Sequence, residues 1–212
     1  MILYLIRHGK TEDHEKNIRQ GPNSPLGEYG VKQAKEVAER FREMKFDHLY
    51  SSDLPRAKQT AEEIAVQTAL PLKINDLFRE AVKSVRLDGQ PYEGELNQRF
   101  LRERDENKDN FDWKFDGEGE SLNELIKRAK RVLEYLIDNH SEDTVAVVSH
   151  AYLIGVVTSL VLLGEDYDPK SFLKLLYGLR LENTGVCSYE YIGEKKRWKL
   201  VCYNDHSHLV TV

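Results

Sequence analysis

The 212-residue sequence predicts an α/β fold, with a mostly parallel central sheet and helices on both faces. Three observations carry that expectation. Short apolar runs, Ile2–Ile6, Phe46–Tyr50 and Val145–Val148, alternate with helical patterns, as do strands buried on both faces of a parallel sheet. Each run ends in residues suited to gripping a phosphate: Arg7-His8-Gly9, then Ser51-Ser52-Asp53-Leu54-Pro55-Arg56, then Ser149-His150. Ligands of open α/β sheets bind outside the carboxyl ends of the strands. Two arginines and two histidines are thereby expected on one rim, although nearly the whole chain separates the first from the last.

The elements follow in order. After the first strand comes a polar loop, Lys10 to Tyr29, holding Pro22 and Pro25. Gly30 leads into a helix with Val31, Ala34, Val37, Ala38 and Phe41 on one face. A helix opening near Pro55, which suits a first turn, packs through Ala57, Thr60, Ala61, Ile64 and Ala65. An extended piece at Leu72–Ile74 leads to Leu77-Phe78-Arg79-Glu80. Residues 81–118 then break the alternation: highly charged, with Tyr92, Phe111, Trp113 and Phe115 interspersed, they read as a lid inserted over the rim, helical around Glu95–Asn107. The aromatics are expected to pack the insertion. Ser121 caps a long amphipathic helix, with Glu124 completing a capping box. A further helix follows His150, and Gly185–Ile192 and Trp198–Tyr203 form a C-terminal β-hairpin at the sheet edge. The whole, 1–212, reads as a single domain.

Bulk properties narrow the function. A net charge of −5 offers no general attraction to nucleic acid or to an anionic membrane, so any cationic site is local. No run approaches the roughly 18 apolar residues that span a bilayer, and no secretory signal is visible. Cys187 and Cys202 stand in no metal-binding or redox spacing and read as two reduced core thiols, the alternative being that they face each other on neighbouring strands. The chain is expected to be cytoplasmic. His206 and His208 lie in a polar tail and are expected to face solvent, and Asn183, before Thr184-Gly185, reads as a turn former.

The rim residues suit phosphoryl transfer. A phosphate monoester carries close to two negative charges. Its cleavage needs a nucleophile, neutralisation of the phosphoryl oxygens and a proton for the leaving oxygen. His8 is the candidate nucleophile, provided that its ring is neutral and its other nitrogen donates a bond that fixes the tautomer; the Gly9 carbonyl is a plausible acceptor. Arg7 and Arg56 offer fork-shaped donors to phosphate oxygens, and His150 a further one. With these in place no metal ion is needed, and no His/Asp/Glu cluster at metal-ligand spacing stands out. Glu80 is the candidate general acid, with Asp88, Glu93 and Glu95 as alternatives.

The same blocks carry a family resemblance. Arg7-His8-Gly9-Lys10-Thr11-Glu12 resembles the signature of branch 1 of the histidine phosphatase superfamily, the phosphoglycerate mutase-like proteins. Ser51 to Ala61 is similar to the block with the family's second arginine, Leu77-Phe78-Arg79-Glu80 to the segment presenting the acid, and Gly119-Glu120-Ser121 to a recurrent helix start. Val147-Val148-Ser149-His150 resembles the second-histidine block. The resemblance implies a three-layer α/β/α fold, a phosphohistidine at His8, a pocket of Arg7, Arg56 and His150, Glu80 as proton donor, and no cofactor. Three departures stand out. His14 falls where many members carry a phosphate-binding asparagine, leaving His14 or Asn17 to serve; Ala151 replaces a common glycine; and Ala81–Tyr92 replaces the usual segment after the acid.

The expected function is a metal-independent phosphatase of small phosphorylated metabolites, with free phosphate as the other ligand. Mutase chemistry needs extra basic residues around a bisphosphate and exclusion of water, whereas acids interleave the bases of 81–118. Mutase-type transfer and a non-catalytic phosphate-binding regulatory module are the alternatives. The edge hairpin is compatible with a homodimer but does not require one.

Overall fold

The computed structural model describes residues 1–164 and 166–209. One sheet contains β1 (Ile2–Arg7), β2 (His48–Ser51), β3 (Leu72–Ile74), β4 (Thr144–Ser149), β5 (Val186–Ile192) and β6 (Arg197–Asp205). The spatial order is β3-β2-β4-β1-β5-β6. The first four strands are parallel, and β5 and β6 complete that edge as an antiparallel hairpin. This is the mixed α/β sheet that the sequence predicts.

Among the described residues seven helices accompany it: α1 (Glu12–Glu15), α2 (Glu28–Phe41), α3 (Pro55–Thr68), α4 (Glu95–Glu106), α5 (Leu122–His140), α6 (Ala151–Leu163) and α7 (Pro169–Gly178). Alternation along the strands divides them into two layers. Leu3, Leu5, Val145 and Val147 face Leu125, Ala129 and Val132 of α5 and Leu153 and Val157 of α6. Ile6, Ala146 and Val148 face the other way, onto Val37 and Phe41 of α2 and Ala57, Ala61 and Ile64 of α3. Among the described residues no helix is long and apolar enough to cross a membrane.

Several local expectations are met by the contacts. Ser121 accepts from the Glu124 N–H at 3.2 Å while the Glu124 carboxylate accepts from the Ser121 N–H at 2.8 Å, the reciprocal capping box at the start of α5. Within 81–118, Phe100 and Phe115 bury with Leu87, and Trp113 packs against them. Some of the charges there are paired internally, Asp116 holding both Arg86 and Arg99 and Asp105 holding Arg104. The segment leans on the loop after α1, where Arg19 N–H donates to the Gln90 carbonyl at 2.9 Å and the Arg19 guanidinium lies 4.5 Å from the Phe100 ring centre.

Others are corrected. Gly30 does not precede its helix but lies inside the first turn of α2, and the loop before it contains α1. Cys187 is buried but Cys202, on the edge strand, is exposed; both are free thiols. His208 is half-buried, not solvated: its Nε2 lies 3.0 Å from Thr184 Oγ1 and its Nδ1 3.4 Å from Arg40. The helix α7, capped by Asp168 with Pro169 in its first turn, was not anticipated.

Candidate active site

Strand register brings the rim together. β1 pairs with β4 so that Arg7 lies opposite Ser149, and the His8 N–H donates to the Ser149 carbonyl at 3.0 Å. His8 and His150 each stand one residue past a strand end, with ring centres 5.0 Å apart. On the other side of β4, the Ser52 N–H donates to the Val148 carbonyl at 3.0 Å. That contact carries the chain into α3, whose second residue is Arg56.

Close backbone packing aims the loop after His8. A Cβ on Gly30 would overlap the Lys10 carbonyl oxygen, with the carbonyl carbon 2.7 Å and the amide nitrogen 2.8 Å away. Thr60 Oγ1 accepts from the Gly9 N–H at 3.1 Å and donates to the Arg56 carbonyl at 2.8 Å, tying this loop to the first turn of α3. Asn183 Nδ2 donates to the His8 carbonyl at 2.9 Å. Beyond forming a turn, Asn183 therefore anchors the candidate nucleophile's backbone.

Both buried histidines are electrically constrained. His8 Nδ1 lies 2.7 Å from the Gly9 carbonyl oxygen. A carbonyl only accepts, so Nδ1 carries the proton and Nε2 presents a lone pair. Burial, reinforced by His150, Arg56 and Arg7, pushes the His8 pKa well below the ordinary imidazole value, while the Gly9 bond acts in the opposite direction. The ring is neutral at physiological pH. His150 Nε2 lies 2.9 Å from Ser52 Oγ, and that oxygen already accepts from the Leu54 N–H at 3.2 Å. With the Ser52 hydroxyl proton directed to Nε2, the His150 proton resides on Nδ1 and is free to bond a ligand. Burial and the nearby Arg56, Arg7 and Arg128 hold the His150 pKa well below normal as well.

Arg7 Nη1 donates to the Leu181 carbonyl at 2.6 Å, and Arg56 Nη1 to the Gly21 carbonyl at 3.1 Å. His14, on α1, stacks over His8 with ring centres 6.4 Å apart and planes within 13°. Burial and the charges of Arg7, Arg56 and Lys10 lower its pKa to about 4. Asn17 is not brought into this group: it is exposed, in a left-handed conformation (φ 56°) after α1.

Unfilled hydrogen-bonding capacity marks the place. Arg7 Nε, Arg56 Nε, His14 Nδ1 and His150 Nδ1 are buried nitrogens without a partner. Buried polar atoms are almost always satisfied, so four such atoms from one residue group point to a ligand rich in acceptors.

Glu80 is held beside them. Its carboxylate accepts from the Ala81 N–H at 2.9 Å and from the Tyr152 and Leu153 N–H groups of α6, each at 3.3 Å. Its backbone is gripped by a residue that the sequence reading missed. Arg128 of α5 donates to the carbonyls of Leu77 (3.0 Å), Arg79 (2.7 Å) and Glu80 (3.2 Å), while pairing with the Glu120 carboxylate at 2.7 Å. Asp88 lies elsewhere on the rim of the cleft, and neither Glu93 nor Glu95 lines it.

The cleft has two lobes of about 480 and 430 Å³. Glu80, Lys83, Arg19 and Tyr92 border both; Arg7, His14, Trp113 and Tyr152 line the first, and Arg56 and Asp88 the second. His8 and His150 are fully buried and line neither.

Comparison with known proteins places this arrangement. The family model for the histidine phosphatase superfamily (branch 1) matches residues 3–206. A probable phosphoglycerate mutase of Escherichia coli is 29% identical over 219 residues, spanning 98% of this chain and 94% of that protein. A variant phosphoserine phosphatase of Entamoeba histolytica, solved with phosphoserine, superposes with a TM-score of 0.81 at 27% identity, covering 99% of both chains. A mycobacterial glucosyl-3-phosphoglycerate phosphatase shares the fold at a TM-score of 0.80 and 22% identity, covering 96% of this chain and 98% of its own. The chain therefore belongs to branch 1 of the histidine phosphatase superfamily.

Proposed function

We propose that the chain hydrolyses small phosphate monoesters, without a metal ion, through a phosphohistidine at His8. The observation that carries this reading is a neutral His8 ring, its Nδ1 proton committed to the Gly9 carbonyl, set among four buried nitrogens that lack partners.

The steps follow from the residues. Arg7, Arg56 and the His150 Nδ1–H bind the phosphoryl oxygens, and His14 adds a contact beside His8. Such preorganised donors are the main source of rate in phosphoryl transfer. His8 Nε2 attacks phosphorus in line while the bond to the leaving oxygen breaks. Glu80, as a carboxylic acid, gives that oxygen its proton. Water then attacks the phosphohistidine, Glu80 takes a proton from it, and phosphate leaves with His8 neutral again. Residues 81–118 act as the lid that selects the ester's organic part.

The relatives include proteins named for mutase and for phosphatase activity. Hydrolysis is favoured here because four of the lid's seven bases are already engaged, Arg86 and Arg99 by Asp116, Arg104 by Asp105 and Lys114 by Glu124. A bisphosphate intermediate requires free cations. The test is phosphate release from a panel of monoesters in chelator, comparing wild type with His8→Ala, together with rapid-quench trapping of the phosphoenzyme. Release and trapping by wild type alone support the reading. Undiminished release by His8→Ala, or release without any covalent intermediate, overturns it.

A further inference from the structure

A second histidine cluster lies at the opposite end of the sheet from the cleft. His48 opens β2, His140 closes α5, and Asp143 stands in the turn just before β4. Asp143 Oδ2 receives both rings, with His48 Nε2 and His140 Nδ1 each 3.0 Å away. The two ring centres are 4.2 Å apart, and the three ligand atoms lie within 4.8 Å of one another. Among the described residues this is the only group of three or more His, Cys, Asp or Glu side chains converging so closely.

We propose that His48 Nε2, His140 Nδ1 and Asp143 Oδ2 form a binding site for a divalent transition metal of the Zn²⁺ class. Two imidazoles and a carboxylate match that class, with a fourth, tetrahedral position left for water. His140 is buried, whereas His48 and Asp143 are half-buried, which gives the ion an entry path. The outer contacts also suit a metal site. The Tyr50 hydroxyl lies 2.8 Å from His140 Nε2, where it can accept a proton-bearing nitrogen once Nδ1 is turned to the ion. Lys73 Nζ lies 3.2 Å from His48 Nδ1 and is exposed, so it turns into solvent as His48 shifts its proton from Nε2 to Nδ1. That tautomer change is the only proton rearrangement His48 needs. The ion clamps residues 95 positions apart, joining the start of β2 to the α5–β4 turn far from the catalytic histidines.

The competing account is that hydrogen bonds alone occupy these side chains, and metal uptake separates the two. Chelator-treated protein is dialysed against Zn²⁺ and melted, as wild type, His48→Gln and Asp143→Asn. Wild type is expected to bind one Zn²⁺ more per chain than either variant. Its melting temperature should rise by about 5–10 °C when free Zn²⁺ exceeds Kd about a hundredfold. Turnover in chelator should be equal in wild type and His48→Gln. The proposal is overturned if wild type binds no Zn²⁺, or if His48→Gln, which changes a half-buried side chain and so keeps the fold testable, binds as much as wild type. Loss of binding in His8→Ala with retention in His48→Gln overturns it too, assigning the ion to the catalytic cleft.

Discussion

Replacing Arg128 with Met tests whether the proposed acid, Glu80, is positioned from α5. Arg128 is 9% exposed and its guanidinium holds the backbone carbonyls of Leu77, Arg79 and Glu80, besides pairing with Glu120. Removing one member of a buried ion pair costs about 3–5 kcal/mol, because the other is left charged and unpaired. For a domain of this size each kcal/mol is worth about 2–4 °C, so the melting temperature should fall by about 6–20 °C. Catalysis should also suffer where the leaving group needs a proton. General acid catalysis is worth about 10²–10⁴-fold, which bounds the loss in kcat for an alkyl phosphate. A nitrophenolate leaves without a proton, so p-nitrophenyl phosphate should be affected far less. The double variant Arg128→Met/Glu120→Leu, with neither charge buried, should regain stability without regaining the alkyl phosphate rate. Equal rate losses on both esters, or recovery of alkyl phosphate turnover in the double variant, would show that Arg128 does not act through Glu80.

Other perturbations probe the rest of the site. Gly30→Ala forces a methyl into the Lys10 backbone; overpacking of this kind costs about 1–3 kcal/mol, and because the displaced loop carries His8, urea midpoint and kcat should fall together. Lys83 borders both lobes, accessible to water in the cleft yet surrounded by enough protein, with Arg19, Arg56 and Arg104 near, to lower its pKa. It has no carboxylate partner among the described residues, so Lys83→Met should raise KM for esters whose organic part is anionic and leave KM for p-nitrophenyl phosphate unchanged. His14 and His208 have folded pKa values of about 4, below the unfolded imidazole value of about 6.5. Between these values the unfolded chain binds more protons, so their contribution is fully present above pH about 6.5 and is lost as pH falls towards about 4. Urea midpoints should decline over that window, and His208→Gln should flatten the decline.

The sheet and the residues that converge on its rim were legible because their signals are local. An apolar run fixes a strand, and the first residues past it are the rim, so Arg7, His8, Arg56 and His150 could be read without knowing any contact. Ser121 and Glu124 were legible for the same reason, a capping box being complete within four residues. What the sequence hid is held by contacts without a spacing. Arg128 belongs to no motif, and Asn183 read as a turn residue, but the fold places them against Glu80 and His8. The His48–His140–Asp143 cluster was missed because its first member is 95 positions from the last. Other misses had a signal that went unread. Asp168-Pro169 followed by Phe172, Leu173 and Leu176 is a capped amphipathic start, and α7 is there. By contrast α1, four residues long, is too short for any periodicity to reveal.

The electrostatics of His8 show why one small contact matters throughout the proposed reaction. Burial and three neighbouring groups all oppose positive charge on its ring, which keeps Nε2 unprotonated and nucleophilic in a site crowded with cations. Forming the bond to phosphorus then places positive charge on that same ring, in the environment that opposed it. Two features offset the conflict. The incoming phosphoryl group brings negative charge to Arg7 and Arg56, turning their effect on His8 from repulsion into neutralisation. The Gly9 carbonyl, the one influence that favours a charged ring before substrate arrives, keeps its bond to Nδ1–H through both steps. Holding that carbonyl in place is the shared task of the Thr60 bond to the Gly9 N–H and the packing of Gly9 on Gly30. Residues that never touch phosphate thus help determine whether the nucleophile can be both neutral before attack and cationic after it.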